Sequence, residues 1–400
     1  MDKVGVLAAD LTTQHGWAQY SRSMIAALAR ASVPLTVLTP RDTPRAACDE
    51  IAAVGRVSVY PILPPINPAP RALPLHLLRA LPTARHVLRE CHAIHALIEP
   101  FAPLGAWIAG ARPFYITAHG SYIRADRAYP RWAVTLYRAA FERAAILAVS
   151  RYTADVARAQ FPDTRIEVVP NGVDAARFAS IIRDHAPRPP MILSVGAVKR
   201  RKGTLELIHA FARVRESFPS ARLQIVGSLT LEPGYVESVR AAIQQGDLGA
   251  AVTLAGRVSD AELMRAYADA DIFALPSLND GWKFEGFGLS LLEAAAACLP
   301  TVGTRDCGTA DAVADGVTGY LVAQDRLVDG LTDALTRLLS DPALARRMGA
   351  AGRARAASQT WDAAAAALAA IYAGEKTHEG HEGTKDAKAK ADVQDREGAP

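Results

Sequence analysis

The stretch Glu285-Gly286-Phe287-Gly288-Leu289-Ser290-Leu291-Leu292-Glu293 sets two carboxylates around two glycines. It follows a strand-like run at 272–275 and leads into a helical pattern. Glycines just before a helix let ligand oxygens approach backbone N–H groups, and the helix presents its positive end to an anion. Glu293 falls about one turn into that helix, and helical side chains tilt back toward the N-terminus. A carboxylate there can accept both hydroxyls of a ribose, and Glu285 in the loop can do the same for sugar hydroxyls. A Gly-rich turn with two solvated Glu would use the same residues.

A second stretch, Val195-Gly196-Ala197-Val198-Lys199-Arg200-Arg201-Lys202-Gly203, places four consecutive cations between a strand end and a helix start. Ligands of α/β proteins bind at such turns, and cations there would neutralise a leaving diphosphate. A solvated basic loop is the plain alternative. His15-Gly16-Trp17 and Ala118-His119-Gly120-Ser121 each follow a strand, so both histidines sit at carboxyl ends of strands. Other motifs fail. The spacing from Gly196 to Gly203 is not a P-loop, Gly286-x-Gly288 lacks a third glycine, and no G-x-S-x-G occurs. Asp269-Ala270-Asp271 spells a D-x-D, but at a helix-to-strand junction where capping or turn roles are expected.

The elements that must position these residues come in two series. Strand-like runs at 4–9, 35–38, 57–60, 114–117, 146–149 and 166–169 alternate with helical patterns such as 18–30. A polar, Pro-rich segment at 183–190 reads as a linker. A second series has strands at 191–195, 222–226, 252–254, 272–275 and 300–302. Its helices lie at 204–217, 236–245, 327–339, 342–356 and 363–372. Strands separated by helices of this length predict parallel sheets, hence two doubly wound Rossmann-like α/β domains. The expected division is a first domain at 1–182 and a second at 191–356. A last helix within 357–373 is expected to pack back toward the first domain, and the highly charged segment 374–400 to be disordered.

Length and composition agree with a two-domain enzyme: 400 residues, half of them hydrophobic, 22% charged, and a net charge of +4. The basic excess is local. Nine Arg and three acidic residues lie between Arg71 and Arg138, which suits a surface meeting phosphate or membrane. Within it, Arg71, Arg79, Arg85 and Arg89 stand among leucines, and Pro74 and Pro82 predict only short helical pieces there. This segment is a candidate for an anionic membrane or a lipid-linked acceptor. Cys48, Cys91, Cys298 and Cys307 form no C-x-x-C pair, so reduced thiols are expected. The chain opens directly on a strand-like run and has no apolar stretch near the length of a membrane span. A cytoplasmic protein is expected, either soluble or peripheral at the inner face of the membrane.

Taken together, these stretches resemble family 4 of the retaining glycosyltransferases, which have the GT-B fold. The resemblance covers about residues 3–373. Its most specific part is the E-x7-E motif from Glu285 to Glu293. Supporting matches are Val169-Pro170-Asn171-Gly172, Lys202-Gly203, Ile225-Val226-Gly227, Pro300-Thr301-Val302 and Asp315-Gly316-Val317-Thr318-Gly319. The resemblance implies a cleft between the domains and a nucleotide-sugar donor, UDP- or GDP-linked. Glu293 would bind the ribose, and Glu285 the transferred sugar with help from the amides of Phe287, Gly288 and Leu289, with Gly286 also at the donor. Lys202 would hold the diphosphate, Gly16 would admit its phosphate, and His119 would sit beside the anomeric carbon. The backbone near Arg257 would meet the base. It further implies transfer of a hexose-type sugar with retention to a glycan, lipid-linked or small-molecule acceptor, without a metal or other cofactor.

Three departures stand out. Ala197 replaces the family's usual Arg, Cys298-Leu299 replaces its usual Gly, and Gly16 stands alone where the family has a pair. The first departure predicts that Arg200 or Arg201 supplies the missing charge while Lys199 points to solvent. Two other functions remain open at this level: a nucleotide-sugar epimerase of the same fold, or a basic binding protein. Nucleic acid is not an expected partner, because the basic residues are not interleaved with aromatics on a recognisable module.

Overall fold

The computed structural model describes residues 2–12, 15–66, 72–181 and 188–374. Arg71, most of the expected linker and the segment from 375 onward lie outside the described residues.

Seven strands form the first sheet: β1 (Val4–Leu7), β2 (Leu35–Pro40), β3 (Val57–Leu63), β4 (Ala93–Ala96), β5 (Phe114–Ala118), β6 (Ala145–Ala148) and β7 (Ile166–Val168). Six form the second: β8 (Met191–Val195), β9 (Arg222–Val226), β10 (Val252–Gly256), β11 (Ile272–Ala274), β12 (Thr301–Thr304) and β13 (Gly319–Val322). The spatial orders are β3-β2-β1-β4-β5-β6-β7 and β10-β9-β8-β11-β12-β13, with every named pairing parallel. Short apolar runs such as Val4–Leu7 and Ile272–Ala274 are buried at every position, as a parallel sheet covered on both faces requires. These are two Rossmann-like domains of the GT-B type.

In each sheet the order reverses once, between β1 and β4 and between β8 and β11. At such a switch point successive crossovers leave to opposite faces and open a crevice at the carboxyl ends of the strands. The loops after β1, β4, β8 and β11 hold Gly16, Glu99, Lys202 and Glu285 respectively. Topology thus delivers these residues to two facing crevices.

Two strands escape the sequence pattern. β4 carries His95 in an otherwise apolar run, and β13 has only four residues. His95 is fully buried, with Nδ1 2.6 Å from the Tyr372 hydroxyl and Nε2 2.9 Å from Thr117 Oγ1. Burial lowers its pKa to about 3, so the ring is neutral. Tyr372 ends the helix Trp361–Tyr372, which packs on the first helix, Gly16–Arg30. After the second sheet the chain therefore returns to the first domain. The core is continuous across the junction, where Phe178 meets the Tyr267 ring edge-on at 5.3 Å.

The segment expected to break at its prolines is instead one helix, Leu73–Val87. Pro74 stands in the first turn, where its missing N–H has no intrahelical role. Pro82 does remove the bond to the carbonyl of Leu78, but Leu78 is exposed and water can serve it. Leu73, Leu77 and Ala84 anchor the other face in the core. Among the described residues no helix is long and apolar enough to cross a membrane.

Candidate active site

The loop after β8 makes a short 3-10 turn, Arg200–Lys202, and Gly203 then starts the helix Thr204–Ser217. Gly203 has φ +64, and a Cβ there would lie 1.9 Å from the Pro276 carbonyl, so only glycine fits. With three residues per turn, neighbouring side chains in the 3-10 segment diverge by about a third of a revolution. Arg201 and Lys202 consequently face the crevice, while Arg200 turns outward over the Tyr235 ring at 5.7 Å, and its N–H donates to Glu232. Of the two candidate substitutes for the absent Arg, the structure brings in Arg201 and not Arg200. Lys199 also departs from expectation: it is half-buried rather than directed to solvent. Burial, then the charges of Arg201 and Lys202, lower its pKa to about 8.

Glu285 receives these cations. Its Oε2 accepts from Arg201 at 2.6 Å, from Lys202 Nζ at 2.5 Å and from Ser277 Oγ at 3.3 Å. Burial opposes ionisation of this carboxyl, but Arg201 and Lys202 outweigh it and hold Glu285 well below the usual carboxylate range. Burial also lowers Lys202, against the pull of Glu285 and with the help of Arg201. Two cations thus converge on one anionic oxygen in a largely buried site.

Gly286 owes its identity to the other domain. A Cβ there would lie 1.6 Å from the His119 carbonyl, so the missing side chain admits the first domain's backbone. Gly288, with φ +84, caps the helix Leu289–Ala296, and Phe287 is buried in the core, leaving its amide to the site. Ser290 Oγ donates to the Val195 carbonyl at 2.9 Å and fixes this helix to the end of β8. Leu289 opens the helix. Glu293 accepts from the Tyr267 hydroxyl at 2.9 Å and from Gln19 of the first helix at 2.8 Å.

Across the crevice, His119 follows β5. Its Nε2–H donates to the Leu97 carbonyl at 2.7 Å, which leaves Nδ1 as an acceptor, and Tyr20 packs edge-on against the ring at 4.5 Å. Burial holds the His119 pKa down at about 4, so the imidazole is neutral. Gly16 starts the first helix and is exposed, and among the described residues, its chain neighbours and own helix aside, no atom lies within 4 Å of where its Cβ would be. Further hydrogen bonds join the domains: Ser121 Oγ accepts from the Phe284 N–H at 2.8 Å, Arg124 donates to the Trp282 carbonyl, and Thr153 Oγ1 donates to the Gly286 carbonyl.

Glu285, Lys202, Arg201, Gly286 and His119 therefore meet, with Glu293 one turn away. Arg257 is exposed just beyond β10, two strands from β8. Gln19, Ser277 and Glu99 are site neighbours that the sequence reading passed over. Gln19 alone had a usable signal, since it lies one turn after Gly16 in the first crevice. Asp271 lies at the amino end of β11, opposite the crevice, where it accepts from Arg188 and the Met191 N–H. Among the described residues no three His, Cys, Asp or Glu side chains converge as metal ligands.

Known proteins share this architecture. Residues 178–355 match the glycosyl transferases group 1, and residues 15–177 match glycosyltransferase family 4. A glycogen synthase from Mycobacterium tuberculosis is 35% identical over 215 residues, 54% of this chain and 50% of that protein. The chain thus spans about half the length of that relative. A GDP-mannose-dependent alpha-(1-6)-phosphatidylinositol monomannoside mannosyltransferase from Mycolicibacterium smegmatis is 33% identical over 293 residues, 69% of this chain and 75% of that protein. In fold, the chain resembles sucrose-phosphate synthase from Thermosynechococcus elongatus, with a TM-score of 0.76 at 21% identity, covering 94% of this chain and 99% of that one. It also resembles Anabaena HepE in complex with UDP and glucose, with a TM-score of 0.74 at 19% identity, covering 93% and 100%. With both domains matched in order, the chain belongs to the family 4 glycosyltransferases.

Proposed function

We propose that this glycosyltransferase moves a hexose-type sugar from a UDP- or GDP-linked donor to a glycan or lipid-linked acceptor, with retention and without a metal. The observation that carries this reading is the convergence of Arg201 and Lys202 on Glu285 beneath the Gly286–Gly288 turn. A donor diphosphate would exchange for the Glu285 carboxylate as the partner of the two cations, releasing Glu285 to the sugar hydroxyls. As the glycosidic bond breaks, the leaving diphosphate gains charge, and cations fixed there stabilise the transition state more than the ground state. Glu293 then takes the ribose diol. In this reading the neutral His119 ring, with Nδ1 as an acceptor, lies beside the anomeric carbon, and retention follows from acceptor attack on the face the diphosphate leaves. The names of the mannosyltransferase relatives favour a GDP-linked donor and a lipid-linked acceptor. A peripheral membrane position is supported by the helix Leu73–Val87, whose outer face exposes Leu75 and Leu78 beside Arg79.

A thermal-shift panel of UDP-, GDP- and ADP-sugars tests the donor class, because saturating ligand stabilises in proportion to the logarithm of its excess over Kd. One nucleotide series should raise the melting temperature, and NMR should show product with the donor's anomeric configuration. An inverted product would remove the retaining mechanism. Recovery of an isomerised nucleotide sugar would point to an epimerase.

A further inference from the structure

Glu99 follows β4 and is fully buried. Its Oε1 accepts from the His119 N–H at 2.7 Å, and its own N–H and that of Gly120 are further partners of the carboxyl. These two residues form the backbone against which Gly286 closes: a Cβ on Gly120 would lie 3.3 Å from Gly286 Cα, and one on Gly286 would strike the His119 carbonyl. The second oxygen, Oε2, is buried without a hydrogen-bond partner, as is the Tyr129 hydroxyl. The titratable groups that interact with Glu99 are the phenols of Tyr122 and Tyr129. Neither is a cation. The backbone N–H donors favour an ionised carboxylate, but burial without a countercharge outweighs them and favours the neutral acid.

We propose that Glu99 is a positioning residue for glycosyl transfer: as a neutral acid it holds the His119–Gly120 backbone against Gly286 and sets the width of the transfer site. This rests on the reading that His119 and Gly286 border the transferred sugar. Oε1 accepts the His119 N–H, and the proton is assigned to Oε2, the oxygen without a hydrogen-bond partner. Burial pushes the carboxyl up to about 8 from its usual 4.5. In the unfolded chain the proton leaves near 4.5, so between these values the folded state binds more protons and stability falls as pH rises. Glutamine keeps the acceptor and the shape but does not titrate.

The test compares wild type, Glu99→Gln and Glu99→Ala in two assays. One is hydrolysis of GDP-mannose and UDP-glucose with water as acceptor. The other is thermal unfolding without donor from about pH 5.5 to 8.5. Glu99→Ala should lower kcat about tenfold or more with KM for donor changed less than about threefold, whereas Glu99→Gln should restore kcat to within about threefold of wild type at pH 7. The wild-type melting temperature should fall across the pH range more than that of Glu99→Gln. Wild-type kcat in Glu99→Ala, or Glu99→Gln as impaired as Glu99→Ala, would overturn the proposal. So would equal pH dependence of melting in wild type and Glu99→Gln. If Glu99→Ala does not fold, the Glu99→Gln comparison decides alone. If neither donor is hydrolysed, the functional reading fails, while the unfolding comparison still decides the neutral state of Glu99.

Discussion

The Gln19 side-chain amide donates to Glu293 Oε1 at 2.8 Å, although the two residues lie 274 positions apart and in different domains. The oxygen expected to meet a ribose diol is thus engaged by the opposite wall of the crevice. In the proposed reading Gln19 and the donor would compete for this acceptor, which would link the first helix to nucleotide binding.

Replacing Glu293 by Ala should weaken donor binding by about 1.5–3 kcal/mol, because a buried diol loses a charged acceptor. That is roughly a 10- to 150-fold rise in Kd by calorimetry. Glu293→Gln retains an acceptor for Tyr267 and separates charge from shape. Unchanged affinity in Glu293→Ala would remove the ribose assignment.

The turn geometry divides the basic run. Arg201→Ala should lower turnover on the order of tenfold or more, with a smaller effect on KM for donor, because the cation acts on charge that grows in the transition state. Arg200→Ala, whose guanidinium lies over Tyr235 on the outer face, should behave as wild type. Lys199 makes a pH-dependent contribution. Burial and the neighbouring cations lower its pKa to about 8, and a diphosphate bound beside it would raise it again. Donor binding at pH 8.5 should then take up a fraction of a proton, visible in calorimetry with buffers of different ionisation enthalpy and absent in Lys199→Met. Equal proton uptake in both proteins would contradict this.

Much of this arrangement is legible from residue order, because switch points follow from alternating strands and helices, and Glu285, Glu293 and Lys202 lie beside them. Direction within a tight turn is not. Arg200 and Arg201 are equivalent as letters, and only the 3-10 winding separates them. Gly286 reads as a ligand-facing glycine, yet its neighbour is the His119 carbonyl, a contact between residues far apart in the chain. β4 was hidden by His95, whose polar ring is satisfied by Tyr372 from the far end of the chain. The helix Leu73–Val87 runs through Pro82 because tertiary packing of its inner face outweighs the local break.

The Asp269–Asp271 pair points away from the crevice, which bears on metal dependence. Asp271→Ala should cost about 1 kcal/mol of stability through its bonds to Arg188 and the Met191 N–H, with turnover preserved. Activity should also survive EDTA. Complete loss that Mn²⁺ restores would show that a metal takes part.

Cys298 replaces the family's usual glycine and adopts φ +64. The Leu299 N–H donates to the Ala294 carbonyl and the Cys298 N–H to that of Ala295, so Cys298 occupies the left-handed position that ends the helix Leu289–Ala296. A side chain there costs about 1 kcal/mol relative to glycine. Cys298→Gly should therefore stabilise the protein by about 0.5–1 kcal/mol in denaturant unfolding. A destabilised variant would mean that packing of the thiol outweighs the backbone term.

Calorimetric titration of UDP and GDP into wild type and the Arg201→Ala/Lys202→Ala double variant tests the diphosphate site most directly. Wild type should bind one of the two nucleotides, and the double variant should bind it at least about 100-fold more weakly, as expected for the loss of two charge-assisted contacts. Equal affinity in the two proteins would show that the diphosphate lies elsewhere and would contradict the assignment of Arg201, Lys202 and Glu285 to the donor.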